Sequence, residues 1–291
     1  MMIYEKIRTI STTHSGDRFA VAEFERRIQI WDLDSGLLRV IETDFDFGGK
    51  RLSISASGKY LTAGSYDKNS ITTYSIDTGE ILWIRRDLKK CGTVQHVDFD
   101  TELVFVTLES QATHILSSDT GETIQKITGA QGLWGLGSQS KVVVEKHDRI
   151  NLVDKDFKTV KTSPKRTFAI LDSSFSIDKL FVSYSAGPLE SIDLKTFETT
   201  WAVKPVGHFL DTGFNLLDNK VIGIRWEYEK GSNKFLSVLN CTTGDIENEF
   251  DLGDVVEHSF LKQGKYLLTS TGKLISTVDG KTIREFDFEN S

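Results

Sequence analysis

Two kinds of short apolar segment alternate along the chain. One is a polar turn followed by a continuously apolar run, as at residues 57–63. The other is a pair of alternating runs around a tight polar turn, as at residues 73–83. Continuous apolarity is typical of a strand buried on both faces, and alternation of a strand with one exposed face. Because no helical period extends beyond two turns, the sequence predicts an all-β protein.

The hairpin pattern occurs seven times, about 41 residues apart on average. Asp or Ser caps the turn, and Gly supplies the positive φ that a short hairpin needs. In two copies another residue takes the glycine's place, so those hairpins are expected to use a longer or different turn. The turn positions are Gly36, Gly79, Gly121, Lys158, Phe197, Gly244 and Gly280.

The continuously apolar pattern also occurs seven times, about 20 residues before each hairpin. A unit of about 41 residues with four short strands is a propeller blade. The sequence therefore predicts one domain, residues 1–291, folded as a single seven-bladed β-propeller of four-stranded antiparallel blades. The approximate blades are 1–43, 44–86, 87–128, 129–163, 164–204, 205–252 and 253–291.

Several short motifs resemble those of WD-repeat propellers. Trp31 and Asp32 stand where that family's Trp-Asp pair closes a third strand, Gly207 and His208 match its Gly-His pair, and Asp67 matches its turn aspartate. The repeats are degenerate, because only one Trp-Asp pair occurs in seven blades. Residues 77–83 also resemble a segment of quinoprotein-like propellers. Such rings usually close by lending an N-terminal strand to the last blade. Here residues 282–288 already supply that strand, so only close chain ends are predicted.

Composition narrows the possible functions. Hydrophobic residues make up 38% of the 291 residues, the net charge is −7, and the pI is about 5.5. Nucleic-acid binders usually carry a basic domain, so an acidic chain argues against that class. Neither a signal-peptide core nor an apolar run of about 18 residues is present, which argues against a membrane span. The two cysteines, Cys91 and Cys241, lie far apart and in no metal spacing, which is typical of a protein from a reducing compartment. We therefore expect a cytoplasmic protein. We also expect it to be a monomer by itself.

Catalytic motifs are weak or missing. Residues 280–282 end like a phosphate-binding loop, but Ile275 stands where its first glycine would be. His96 and His258 occupy the same place on innermost strands, where they either face the central channel or make ordinary hydrogen bonds. A metal would need further ligands. We therefore expect no enzyme activity, no cofactor and no metal.

Binding is expected on the face that carries the inter-blade loops and the loops joining second to third strands, because unusual aromatic and charged residues collect there. A protein-binding scaffold is the main hypothesis, with a bacterial toxin-neutralising (immunity) protein as one version. A small-molecule or carbohydrate-binding propeller and a quinoprotein-like enzyme are the alternatives. Trp226 is either an exposed anchor or the end of a buried strand. The candidate protein-binding residues are Tyr66, Asp67, Arg85, Arg86, Lys89, Lys90, His147, Tyr184, Trp226, Glu227, Tyr228 and Glu229.

Overall fold

The computed structural model describes most of the chain. The described residues are 7–13, 15–23, 26–44, 51–65, 68–98, 102–110, 112–135, 142–167, 169–176, 178–185, 187–204, 207–215, 217–227, 233–253, 255 and 257–288. For residues 98, 131–135 and 142 it describes the backbone alone. Within these ranges there is no helix, and the strands form seven four-stranded antiparallel sheets. The predicted seven-bladed all-β propeller is confirmed.

Each blade uses four consecutive strands, and the first strands contact one another around the ring, which makes them the innermost strands. Blade one is β1 Ile7–Thr12, β2 Arg18–Glu23, β3 Arg27–Asp32 and β4 Gly36–Glu42. Blade two is β5 Leu52–Ile54, β6 Tyr60–Ser65, β7 Ser70–Ser75 and β8 Ile81–Arg85. Blade three is β9 Cys91–Asp98, β10 Glu102–Leu108, β11 Ala112–Ser117 and β12 Thr123–Thr128.

The remaining blades repeat this order. Blade four is β13 Ala130–Gly135, β14 Val142–Lys146, β15 Arg149–Val153 and β16 Thr159–Thr162. Blade five is β17 Ile170–Phe175, β18 Lys179–Tyr184, β19 Leu189–Asp193 and β20 Thr199–Val203. Blade six is β21 His208–Asn215, β22 Lys220–Trp226, β23 Lys234–Asn240 and β24 Ile246–Gly253. Blade seven is β25 His258–Leu261, β26 Tyr266–Thr269, β27 Lys273–Ser276 and β28 Thr282–Glu285.

The hydrophobic core lies in the seams between blades. One cluster joins Ala20 and Ile30 of blade one to Leu61 and Tyr74 of blade two, and comparable clusters fill other seams. Second strands are almost wholly buried, as the continuously apolar pattern predicts. Stability therefore depends on neighbouring blades covering one another, because a single four-stranded sheet cannot bury both of its faces.

The hairpin between third and fourth strands has its positive φ at the predicted residue in six blades. The expectation of a longer or different turn at Phe197 was wrong, because Phe197 adopts a φ of 66° and makes the same hydrogen bonds as the Gly79 turn. The prediction for Lys158 was wrong by one residue. In blade four the turn is one residue shorter, because the N–H of Phe157 donates to the carbonyl of Asp154, and Phe157 takes the positive φ of 60°.

A recurrent hydrogen bond ties each of five blades to the next. A side chain at one register position of the fourth strand donates to a carbonyl in the following blade's hairpin turn. Trp83 Nε1 lies 2.8 Å from the Ser118 carbonyl, and Trp201 Nε1 lies 3.0 Å from that of Cys241. The five donors and their acceptor residues are Arg39 to Ile76 and Asp77, Trp83 to Ser118, Lys161 to Leu194 and Lys195, Trp201 to Cys241, and Arg284 to Leu33 and Asp34.

The ring closes between blades seven and one by side-chain packing. Phe286 and Phe288 follow the last strand and pack against Phe19 and Trp31, with ring centroids 5.1–6.4 Å apart. Gln29 Nε2 donates to the Phe288 carbonyl at 2.8 Å. Among the described residues, which begin at Ile7, the four strands of the seventh sheet all come from residues 258–285.

Gly121→Ala tests the seam between blades two and three. The added Cβ would lie 2.6 Å from Cδ2 of Trp83, at a φ of +70°. Gly36→Ala is the matched control, because its φ is +93° but nothing lies within 4 Å. Backbone strain should lower the free energy of unfolding of Gly36→Ala by about 1 kcal/mol. In Gly121→Ala the clash with Trp83 adds to the same strain, so the free energy of unfolding should fall by about 3 kcal/mol. Urea unfolding followed by circular dichroism measures both, and equal losses would contradict the proposed packing.

Candidate protein-binding face

Backbone hydrogen bonds join the inter-blade loops to the loops between second and third strands. The N–H of Glu109 donates to the backbone carbonyl of Lys90 at 3.0 Å, and the N–H of Arg166 donates to the backbone carbonyl of Asp148 at 2.7 Å. Equivalent bonds link residues 185 with 169 and 270 with 257. Both loop sets therefore lie on one side of the ring, which we call the loop face. Turns between first and second strands bond to the hairpin turns on the opposite face, as in the 2.7 Å bond from Leu33 to Asp17.

Four of the predicted binding residues lie outside the described residues. They are Tyr66, Asp67, Tyr228 and Glu229. The other eight are described, and they fall into two groups. Arg86, Lys89, Lys90 and His147 are exposed, whereas Arg85, Tyr184, Trp226 and Glu227 are buried or half-buried.

Arg85 is engaged within the protein. It forms a bidentate pair with Asp87, in which Nε and Nη2 lie 2.7 Å and 2.6 Å from the two carboxylate oxygens. Its Nη1 also donates to the Gly121 carbonyl of blade three at 2.7 Å. The Arg85 hydrogen bonds lower the pKa of Asp87 to about 2, so the carboxylate stays ionised. Arg85 therefore fixes the start of the loop rather than offering a free charge.

The rest of this basic loop, residues 86–90, is anchored on both sides. Leu88 is buried between the exposed residues. Lys90 adopts a φ of 54°, and its N–H donates to Oδ1 of Asn69 at 3.1 Å, in the neighbouring loop. Arg86 and Lys89 stay exposed on either side of Leu88. The structure thus presents three cationic side chains on a backbone that is fixed by the buried Leu88 and by the hydrogen bond to Asn69.

Trp226 and Glu227 lie at the end of β22 in blade six, directly after the buried Arg225. Trp226 is the last residue of β22 and is half-buried, and Glu227 is 5% exposed. Glu227 pairs with Arg225, whose Nε and Nη2 also reach the Glu249 carboxylate at 2.9 Å and 3.1 Å. Glu227 therefore neutralises a buried guanidinium and has little surface to offer a partner.

Tyr184 is likewise inside the protein, at 2% exposure. Its hydroxyl donates to Oε2 of Glu190 at 3.1 Å, and the same oxygen lies 2.5 Å from Nη1 of Arg166. Burial raises the pKa of Tyr184, which keeps the hydroxyl protonated as a donor. Its role is to hold the Arg166–Glu190 pair under the loop face.

His147 sits at the tip of a two-residue turn between β14 and β15. His147 and Asp148 have φ values of 54° and 58°, and Lys146 pairs with Arg149 across the turn. Positive φ at both central residues is the geometry of a type I′ hairpin. The exposed imidazole therefore projects from a tight turn.

The two innermost-strand histidines bind neighbouring blades. His96 Nε2 lies 2.9 Å from Oγ1 of Thr62 in blade two, and Nδ1 lies 3.2 Å from Oγ of Ser118. Burial lowers the pKa of His96 to about 3, so the ring is neutral. His258 Nε2 lies 2.5 Å from Oδ2 of Asp211 in blade six. Both rings connect adjacent blades.

Reactive groups are sparse in the part of the chain that the structure describes. No three His, Cys, Asp or Glu side chains there are grouped to hold a metal ion. Both cysteines are buried, and burial raises the pKa of Cys91 to about 12, so its thiol is neutral and a poor nucleophile. The same residues include no helix that could span a membrane.

Two solved structures share the architecture. A structure of U3-55K superposes with a TM-score of 0.71 at 14% identity, covering 92% of this chain and 89% of that chain. A chain from the crystal structure of a mitotic checkpoint complex gives a TM-score of 0.75 at 14% identity, covering 97% and 88%. The fold is a WD-repeat-like seven-bladed propeller. No protein-family model matches the sequence, and no curated protein matches it either.

This WD-repeat-like propeller carries ion pairs that sequence reasoning missed, in which Arg225 is buried, Arg166 and Glu190 are half-buried and Glu249 is exposed. Arg166 with Glu190 and Arg225 with Glu249 support the loop face from below, but their partners lie 24 positions apart in sequence. The available signal was a charged residue within an apolar strand, as with Arg225 in the run Lys220–Trp226. Such a residue is almost always paired when buried.

Arg225→Met tests the charged cluster of blade six. Removing the guanidinium leaves Glu227 buried without its cation, so the free energy of unfolding should fall by about 3 kcal/mol. Lys220→Met is the matched control on the same strand, because the Lys220–Glu247 pair is solvent-exposed and contributes little. Urea midpoints measure both variants, and equal behaviour would contradict the assigned burial.

His96→Gln tests the buried imidazole through pH. Because the folded pKa lies below the usual value near 6.5, the unfolded chain gains a proton first as pH falls. Stability present at neutral pH is therefore lost between pH 6.5 and about 3. His96 alone should lower the free energy of unfolding by about 2 kcal/mol between pH 7 and pH 5. His96→Gln should remove this contribution to the pH dependence. Urea unfolding at several pH values measures the slope, with His147→Gln as the control for losing an exposed imidazole; an unchanged slope in His96→Gln would contradict the assignment.

Proposed function

We propose that the protein is a non-catalytic scaffold that binds another protein on its loop face. The observation that carries this proposal is the anchored basic loop, with Arg86, Lys89 and Lys90 exposed on a backbone fixed by Leu88 and Asn69. A preorganised surface loses little conformational freedom on binding, so its contacts add directly to affinity.

The charge of this loop indicates the kind of partner. Three exposed cations lie within five consecutive residues, and the carboxylate among them, Asp87, is paired with Arg85. A partner with an acidic patch would be steered and oriented by them. The overall charge of −7 would at the same time repel acidic molecules elsewhere on the surface, which favours docking at this one loop.

The comparisons support a protein partner by analogy of fold. One similar structure is a chain within a mitotic checkpoint complex, so that propeller is part of a multi-protein assembly. Fold analogy alone does not identify a partner. A more specific version is a cytoplasmic bacterial immunity protein that neutralises a toxin by covering an acidic surface on it. That role requires a rigid binding face and no chemistry, which matches the neutral buried thiols and the paired buried charges.

The test is affinity capture from lysate of the source cells, with quantitative mass spectrometry. The loop variant combines Arg86→Glu, Lys89→Glu and Lys90→Glu. The control variant combines Lys59→Glu, Lys158→Glu and Lys195→Glu, which change the net charge equally but lie on exposed turns of the opposite face. We expect wild type and control to recover the same partner and the loop variant to recover at least about tenfold less.

The salt dependence gives a second readout. Recovery by wild type should fall as the ionic strength rises from about 50 mM to about 300 mM, because screening weakens contacts between exposed charges. Equal recovery by the loop and control variants would reject the loop face as the interface. Recovery of no specific protein by wild type would reject the scaffold function itself.

A further inference from the structure

A pocket of about 220 Å³ opens on the loop face, at the seam between blades four and five. One wall is the inter-blade loop that follows β16, and the other is formed where β18 ends and β19 begins. The pocket lies two inter-blade loops further round the ring than the basic loop 86–90 and shares no residue with it. The residues that line it are Lys165, Arg166, Thr167, Tyr184, Pro188 and Glu190.

Arg166 is a half-buried cation of this pocket, with 16% of its side chain exposed. Its Nη1 lies 2.5 Å from Oε2 of Glu190, the one carboxylate that the guanidinium contacts among the described residues. Its Nε is enclosed by the protein and has no hydrogen-bond partner in the described part of the chain. Because buried polar groups nearly always have a partner, an unused guanidinium N–H beside a pocket indicates a missing acceptor.

Arg225 of blade six shows which acceptors a buried guanidinium has in this protein. Its Nε donates to Glu249 at 2.9 Å and its Nη1 pairs with Glu227, so two carboxylates share one guanidinium. Arg166 contacts one carboxylate, that of Glu190, and lies against an open pocket. Carboxylates match the fork of N–H donors on arginine in geometry and in charge. We therefore expect the missing acceptor to be a second carboxylate.

The charges around the pocket also favour an anion. Lys165 and Arg166 line it, with Glu190 as the single carboxylate among the lining residues that the structure describes. Asp148 lies 3.9 Å from Lys165, but both side chains are exposed, so this pair contributes little. Glu145 of the same seam is buried, accepts a backbone N–H at 3.3 Å and does not line the pocket.

This balance of charge distinguishes a carboxylate from a phosphate. The described lining carries one net positive charge, which one carboxylate neutralises. A phosphate monoester carries close to two negative charges and would leave an excess beside Glu190. Tyr184 and Pro188 line the same pocket, so the two methylene groups of a glutamate have apolar atoms to pack against.

We propose that this pocket receives a glutamate side chain of the acidic partner, with its carboxylate at Arg166 and Lys165 and its methylene groups against Tyr184 and Pro188. The inference rests on the proposed function, because it names a second contact for the same partner on the same face. It adds one enclosed ion pair to the exposed charges of the basic loop, so recognition depends on shape as well as on charge.

The test is a titration of the isotope-labelled full chain with N-acetyl-glutamate N-methylamide, a capped glutamate. Binding is followed by NMR through the side-chain Nε–H signal of Arg166 and the backbone N–H signal of Thr167. We expect both signals to shift with a saturable, millimolar dissociation constant, because a single side chain makes few contacts. N-acetyl-glutamine N-methylamide has the same shape but no charge, and should bind at least about tenfold more weakly.

Two variants locate the bound carboxylate. Arg166→Lys keeps a cation beside Glu190 but has no Nε–H, so affinity read from the Thr167 signal should fall at least about fivefold. Lys165→Gln leaves the Arg166–Glu190 pair intact, and affinity should fall about threefold. Lys204→Gln is the matched control, an exposed lysine after the last strand of blade five, and should match wild type.

The outcomes separate the pocket from the basic loop. The variant with Arg86→Glu, Lys89→Glu and Lys90→Glu should bind the capped glutamate like wild type. No saturable shift, equal affinity for the two capped residues, or affinity unchanged in both Arg166→Lys and Lys165→Gln would overturn the pocket and leave the scaffold proposal standing.

Capped phosphoserine tests the other source of negative charge. Tighter binding of capped phosphoserine than of capped glutamate would also overturn the proposal, because it would assign the pocket to a phosphate. If capture from lysate recovers no partner although the titration with capped glutamate saturates, the scaffold function is rejected and the pocket stands as a carboxylate site.

Discussion

The contact between blade seven and blade one is the constraint on which the ring depends. Each blade leaves two apolar faces that only its neighbours cover, so an unclosed ring would expose a full face at each end. Here Phe19 and Trp31 receive Phe286 and Phe288, and Gln29 donates to the Phe288 carbonyl. Trp31 Nε1 in turn donates to Gln29 Oε1 at 2.9 Å, so the aromatic packing and the hydrogen bonds fix one another.

Four of the other six seams, and the closing seam as well, share one hydrogen-bonding device with varied side chains. A donor on the fourth strand meets a carbonyl of the next hairpin, and the donor is an indole, a guanidinium or an ammonium. Because the seams are geometrically equivalent, a change at one of them is visible against the rest. Between blades three and four this position carries Gln125, which makes no hydrogen bond to blade four among the described residues, so the fold tolerates a seam without the bond.

Much of the architecture could be predicted from sequence, because blade period, hairpin turns and second strands are local patterns. Phe197 was correctly placed at a glycine position, since the flanking residues preserve the turn. Lys158 was misplaced because one deleted residue shifts a hairpin without altering its composition. The burial of Tyr184 and Glu227 could not be predicted, since it depends on Glu190 reaching Tyr184 from the next strand and on Arg225 pairing with Glu227 inside the protein. Whether Arg86, Lys89, Lys90 and His147 bind a partner stays a prediction.

The order of the strands also has a consequence for synthesis. Every blade is a contiguous stretch of chain, so each can pair its own strands as it leaves the ribosome, and each new blade covers the one before it. Blade one is the exception, because the aromatic face formed by Phe19 and Trp31 waits for the last blade to be translated. Throughout elongation this face of blade one therefore stays uncovered, in addition to the outer face of the newest blade, and it is a natural place for a chaperone to bind until Phe286 and Phe288 arrive.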